Sequence, residues 1–145
     1  MIYIFDIDGT LADISHRLHF IQKEPKDWHG FFADCQGDSV IREVAQVAEA
    51  LRGAGFMIVL ITGRSDEIRL KTSAWLRDQQ ISWNVMYMRK EGDHREDSVV
   101  KAELLDEVME KHHGPILGVF EDRKQVVAMY RSKGLRVFQV AEGDF

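Results

Sequence analysis

Residues 1–13 read MIYIFDIDGTLAD, an apolar run at 2–5 that ends in two acids, Asp6 and Asp8, followed by Gly9 and Thr10. Carboxylates are costly to remove from water unless something pairs with them, so a strand ending in two of them either caps a turn or builds a site. In an extended segment side chains repeat every two residues, which puts Asp6 and Asp8 on one side. A turn at Gly9 would let backbone amides approach an anion closely, because glycine adopts conformations closed to other residues.

Further apolar runs follow at 56–61, 85–88, 116–120 and 136–140, rich in β-branched and aromatic residues as buried strands are. Helical periodicity lies between them. Val40, Val44, Val47, Ala48 and Leu51 share a face, and Gly53 and Gly55 close that helix. Ile68, Thr72, Trp75 and Leu76 mark a second helix. Val100, Leu104, Leu105 and Val108 mark a third, ending near His112-His113-Gly114-Pro115, and Val126, Val127 and Tyr130 a fourth. Strands alternating with helices predict a doubly wound α/β fold on a parallel sheet, whose ligands bind at the carboxyl ends of the strands. The residues just past the runs are Asp6-Ile7-Asp8, Thr62-Gly63-Arg64, Arg89-Lys90 and Glu121-Asp122-Arg123, so nearly every group suited to chemistry falls on one edge. Residues 13–39 break the alternation. They carry His16, Arg17, His19, Trp28, Phe31 and Phe32 without a clear strand and are expected to form a small, partly helical cap insert over the strand ends. With no repeat or linker visible, residues 1–145 read as one domain.

A chain of 145 residues, 45% hydrophobic and 30% charged, suits a globular domain with its own core. Its 24 acids against 19 Lys and Arg give a net charge of −5, which argues against a general polyanion binder but leaves room for a local basic patch. Cys35 is the single cysteine, which excludes an internal disulfide and a cysteine-only zinc site. The N-terminal apolar run is too short for a signal peptide and is broken by Asp6, and no stretch approaches the ~20 apolar residues that span a bilayer. The expectation is a soluble cytoplasmic protein with no membrane partner.

A carboxylate that attacks phosphorus gives an aspartyl-phosphate, and a second nearby serves as general acid and then base. Two acids beside a phosphate dianion need a cation. A hard, oxygen-liking ion such as Mg²⁺ fits, held by Asp6 and by Asp122 from a different strand end. A lone DxD also caps turns, but DxDGT after an apolar strand is far more specific. Thr62 in ITGR would offer its hydroxyl and amide to phosphate oxygens, or simply cap the next helix. Lys101, near the start of the third helix, would offset phosphate charge, although a lone lysine is ordinarily a solvated one. Trp28, Phe31 and Phe32 either stack on a base or, the commoner use of clustered aromatics, pack the insert onto the sheet. His16, His19, His29 and His94 lack a metal-binding spacing, His16 and His19 remaining as substrate-contact candidates. His112 and His113 suit a helix C-terminus.

The ordered set Asp6-Ile7-Asp8-Gly9-Thr10, Thr62, Lys101 and Glu121-Asp122 resembles the motifs of haloacid dehalogenase-superfamily phosphatases. The resemblance implies a Rossmann-like core, Asp6 as nucleophile, and Asp8 as acid/base whose backbone carbonyl also touches Mg²⁺. It further implies Thr62 and Lys101 on the transferring phosphate, and Asp122 with Glu121 completing the metal site. Across most of the chain, MRKEGDHREDSVVK, EDRKQVVAMYRSKGLRVFQVAEGDF and the opening motif are similar to the 3′-phosphatase domain of phage-type polynucleotide kinase/phosphatases. That likeness implies roles for Arg17, Arg64, Asp97 and Lys101. Arg17 and Arg64 would make fork contacts to phosphate, with Asp97 holding Lys101 or Arg64. Gly9, Thr10, Gly63, Arg89 and Arg123 complete the expected substrate contacts. Two departures stand out. Glu121 occupies a position where the family usually has aspartate, and no GxxxxGK[ST] is present, so a 5′-kinase activity is not expected.

The leading expectation is a Mg²⁺-dependent phosphomonoesterase acting on nucleic-acid 3′-phosphates or related nucleotides, with a separate kinase or ligase left open as a partner. Its rivals are a phosphatase of free nucleotides or other small esters, and a non-catalytic binding module for which Glu121 is the best argument.

Overall fold

The computed structural model describes residues 1–144. The last residue of the QVAEGDF stretch, Phe145, lies outside the described residues. Strand β1 (Ile2–Phe5) is followed by β2 (Ala12–Asp13), a 3₁₀ turn at 15–20, helix α1 (Trp28–Ala33), a second 3₁₀ turn at 35–37 and β3 (Ser39–Val40). Then come α2 (Arg42–Gly53), β4 (Met57–Ser65), α3 (Arg69–Asp78), β5 (Val85–Arg89), α4 (Asp97–Lys111), β6 (Ile116–Arg123), α5 (Lys124–Ser132) and β7 (Val137–Gly143).

The main sheet has the order β5-β4-β1-β6-β7, and every neighbouring pair is parallel. Alternation along β1 assigns the two faces. Ile2 and Ile4 pack with Val100, Leu105 and Val127 of α4 and α5. Phe5 and, beyond the strand, Ile7 pack on the other face with Ala45 and Ala48 of α2 and Trp75 and Leu76 of α3. The sheet is therefore buried by helices on both sides, as parallel sheets are. Each fully buried aliphatic side chain contributes about 1.5–3 kcal/mol, and both clusters must form for β1 to sit between them. From β1 the chain moves outward through β4 to β5, then returns to the opposite side of β1 for β6 and β7. The order reverses at β1, which places the crevice of a doubly wound sheet at the end of the strand bearing Asp6 and Asp8.

Three details differ from the periodicity. Val40 belongs to a strand, not the helix, because β2 and β3 pair antiparallel and tie the two ends of the insert together. Val47 is 39% exposed, Ala45 taking its place on the buried face of α2. Ile68 falls in a 3₁₀ turn ahead of α3. Strands β4 and β6 also run beyond their apolar cores, through Ser65 and Arg123, so the polar residues after each run are still strand residues. Among the described residues no helix is long and apolar enough to cross a membrane.

Candidate active site

Asp6 leaves the end of β1 still bonded to the sheet through its amide, which donates to Phe120 O at 3.0 Å. Ile7, wholly buried, turns into the core, and its carbonyl accepts from the amides of Thr10, Leu11 and Ala12. Asp6 and Asp8 consequently line one cavity, as a two-residue repeat requires. Gly9 has φ +81°, and a Cβ there would collide with the Asp122 carboxylate. Conformation and space both demand glycine.

Asp6 is 4% exposed. Its Oδ1 accepts from Lys101 Nζ at 2.8 Å, and its Oδ2 from the Thr10 hydroxyl at 3.3 Å. Burial, followed by the charge of Glu121, pushes its carboxyl well above the usual range despite Lys101. Lys101 rises from the first turns of α4 to meet three carboxylates: Asp6 at 2.8 Å, Glu121 at 2.8 Å and Asp97 at 3.4 Å. Burial alone would favour its neutral form, but Asp6, Asp97 and Glu121 together keep the ammonium charged. Asp97 also meets Arg89 at 3.2 Å and Arg123 at 3.3 Å. Of the two partners expected for it, Asp97 therefore takes Lys101 and not Arg64.

Asp8 is held differently. Its Oδ1 accepts from Arg17 Nη2 at 2.8 Å, Arg64 Nη2 at 2.6 Å and Arg64 Nε at 3.0 Å. Burial pushes its carboxyl up, but Arg64 and Arg17 outweigh that and hold it below the ordinary carboxylate range. The expectation that the two arginines fork onto phosphate is not what the geometry displays. Both are fully buried, and their donors are spent on Asp8, Asp38, Phe31 O and the Thr72 hydroxyl. They orient Asp8. Asp38 is the residue that sequence reasoning missed. Its buried carboxylate accepts from Arg17 Nε at 2.8 Å and Nη2 at 2.7 Å and from Arg64 Nη2 at 3.1 Å. His16 also reaches it, at 2.7 Å, which moves that histidine from the substrate candidates to this network. His19 lies against Phe20 instead, its ring tilted by 34° at 4.1 Å. Nothing in an aspartate near the end of a polar loop marks it as buried.

This network has a measurable consequence. Arg64→Met leaves Asp8 with Arg17 alone and Asp38 with Arg17 and His16, and removing one partner of a buried charge network costs about 3–5 kcal/mol. Chemical denaturation is expected to register that loss, with Arg64→Lys recovering part of it. An unchanged midpoint would mean the network is not formed in solution.

The remaining expected residues fall as follows. Thr62 is buried and accepts from the Arg64 amide at 3.1 Å, and the Gly63 carbonyl accepts from Arg89 Nε at 2.9 Å. Glu121 is buried with both oxygens engaged. Oε1 accepts from the amides of Asp122 and Arg123, and Oε2 from Lys101. The extra methylene relative to aspartate thus lets Glu121 brace its own turn and Lys101 together. Asp122 is 2% exposed and accepts from Thr10 at 3.4 Å. Burial and then Asp6 push its carboxyl up to about 7. Near the C-terminus, Gly143 packs so tightly on Asp122 that a Cβ would come within 2.7 Å of its Oδ2.

Oxygens of Asp6, Glu121 and Asp122 lie within 4.8 Å of one another. Three buried carboxylates share Lys101 as their near cation, an excess of negative charge that is costly without a further positive one. The donor set, all oxygen, fits a hard divalent ion such as Mg²⁺. The cavity above has a volume of about 320 Å³. It is lined by Trp28, Phe31 and Phe32 of α1 and by the loop after β5, with Lys90 and His94.

The family described as the polynucleotide kinase PNKP phosphatase domain matches residues 1–145. A chain in the structure of a Pnkp1/Rnl/Hen1 complex is 30% identical with a TM-score of 0.82, over 99% of this chain and 46% of that one. A second, from the Pnkp1/Rnl/Hen1 RNA repair complex, is 30% identical with a TM-score of 0.81, over 99% of this chain and 43% of that one. The chain spans less than half the length of these relatives. A hydrolase from Streptococcus pneumoniae TIGR4 shares the fold at 16% identity, with a TM-score of 0.67 over 94% of this chain and 90% of that one.

Proposed function

This chain belongs to the polynucleotide kinase PNKP phosphatase-domain family, a group of haloacid dehalogenase-type phosphatases, and from that premise we propose that it is a Mg²⁺-dependent phosphomonoesterase. It works through an aspartyl-phosphate on Asp6, and its substrate is a nucleic-acid 3′-phosphate. The observation that carries this reading is the contrast between the two acids of one cavity. Asp6 is held by Lys101 at the metal-fitting cluster, and Asp8 is clamped on Arg17 and Arg64.

In the first step Asp6 attacks phosphorus, and the bond to the 3′ oxygen breaks as Asp8 delivers a proton to that oxygen. In the second, Asp8 takes a proton from the water that attacks the aspartyl-phosphate, which releases inorganic phosphate and restores Asp6. The two arginines keep the resting Asp8 ionised, the form the second step needs. A phosphate dianion arriving beside it raises its proton affinity, so that Asp8 takes up a proton from solvent before the first step, and it regains that proton from the attacking water in the second. Thr62, the Gly63 amide and Lys101 would neutralise and orient the phosphate, with Arg89 and Arg123 supporting Asp97. Asp6, Asp122 and the Asp8 carbonyl would hold Mg²⁺, braced by Glu121, and its charge lets an anionic phosphate come against carboxylates. Residues 1–145 act as one catalytic domain whose cap is the insert. The relatives seen in complex with Rnl and Hen1 support a separate kinase or ligase as partner.

The reading is tested by phosphate release from a 3′-phosphorylated oligonucleotide beside a panel of mononucleotides. Turnover of the oligonucleotide supports it, and turnover of small esters alone moves the substrate to free nucleotides. Chelation by EDTA is expected to cut turnover at least about 100-fold, with Mg²⁺ restoring it. At a hundred times its dissociation constant the ion should also add about 2.7 kcal/mol to stability. Full activity in EDTA would remove the metal from the account.

A further inference from the structure

We propose that the aromatic wall of the insert is a base-stacking subsite, in which Trp28 holds the terminal nucleobase of the 3′ end whose phosphate is attacked by Asp6. This rests on the phosphatase reading above. Helix α1 divides its aromatic residues between two tasks. Phe31 is 3% exposed and lies under Arg17, whose Cζ stands 4.2 Å from the ring centroid, so it belongs to the core and to the Asp8 clamp. Trp28, one turn earlier, is 41% exposed and lines the catalytic cavity. Its orientation is set from behind, edge-on to Phe31 at 5.7 Å and 88°, and closer to parallel with Phe32 at 6.0 Å and 28°. The helix is pinned by Asp27, which caps the Gly30 amide at 2.9 Å.

A rigid indole beside a phosphate-attacking carboxylate offers a π face and little hydrogen bonding. A sugar phosphate or aliphatic ester needs donors and acceptors along this wall, whereas every nucleobase has a face to stack, whatever its identity. Charge complements the rings. Lys26 Nζ lies 5.8 Å from the Trp28 centroid. Lys90 also lines the cavity, a positive charge that suits the phosphodiester preceding a terminal nucleotide.

The test uses two 3′-phosphorylated oligonucleotides that differ only in the terminal nucleotide, one with a base and one abasic. Two readouts are taken: KM for phosphate release, and quenching of intrinsic fluorescence on binding. The natural chain should favour the base-bearing substrate about 10-fold in KM. Trp28→Ala should erase that preference, and Trp28→Phe should keep part of it. Quenching by the base-bearing strand should be lost in Trp28→Phe, since of the other two tryptophans Trp75 is buried in the core and Trp83, partly buried against it, does not line the cavity. An unaltered preference in folded Trp28→Ala overturns the subsite while leaving the phosphatase intact. Base-dependent quenching without phosphate release keeps the subsite and overturns the phosphatase reading. The absence of both quenching and base preference overturns the subsite.

Discussion

Asp6→Asn is expected to lower phosphate release from a 3′-phosphorylated oligonucleotide by about 100,000-fold while the protein stays folded. The change is isosteric, and Lys101 keeps Asp97 and Glu121 as partners, so nothing in the packing is lost. What disappears is the proposed nucleophile, and losses of this order follow when a nucleophile is removed from an otherwise complete site. Burial and the charge of Glu121 raise the Asp6 carboxyl, meaning that the folded state resists its ionisation. Replacing it with a neutral amide relieves that cost. The melting temperature without metal should stay level or rise, the usual sign of a site that trades stability for function. Steady-state kinetics and a thermal scan on the same preparation check both halves. An active Asp6→Asn chain would show that attack comes from elsewhere.

Lys101→Met is expected to damage the fold as well as the reaction. Lys101 is the cation common to Asp6, Asp97 and Glu121, and its removal leaves these buried acids crowding one another. Loss of one partner from such a cluster costs about 3–5 kcal/mol, which for a chain of this size is a fall of about 10 °C or more in melting temperature. The loss should be smaller with Mg²⁺ present, because the same carboxylates are offered to the ion. A variant as stable as the natural chain would mean that these acids are protonated at rest, contrary to a charged Lys101.

Much of this architecture was legible because the decisive signals are local. Apolar runs of strand length, separated by helical faces, specify a doubly wound sheet, and acids after β1 and β6 specify its active edge. The match of Ile2 and Ile4 to one core and Phe5 to the other is the same two-residue repeat that aligned Asp6 with Asp8. What stayed hidden depends on pairing across the fold. Asp38 looks like any loop aspartate until the insert brings it against Arg17 and Arg64, contacts 21 and 26 residues away. The same pairing converts those arginines from expected phosphate ligands into supports for Asp8. Glu121 looked like a defect in a metal site. Its longer side chain instead reaches Lys101 while accepting two backbone amides. Val40 reads as part of the helical face because a two-residue ribbon leaves no periodic trace.

The measurement that bears most directly on the central claim is chemical trapping of the intermediate. Enzyme turning over a 3′-phosphorylated oligonucleotide with Mg²⁺ is quenched in acid and reduced with borohydride, which converts an acyl phosphate to an alcohol. Peptide mass spectrometry should then find homoserine at position 6, dependent on substrate and absent from Asp6→Asn. Rapid phosphate release with Asp6 unmodified at every quench time would contradict the account and point to direct attack by water.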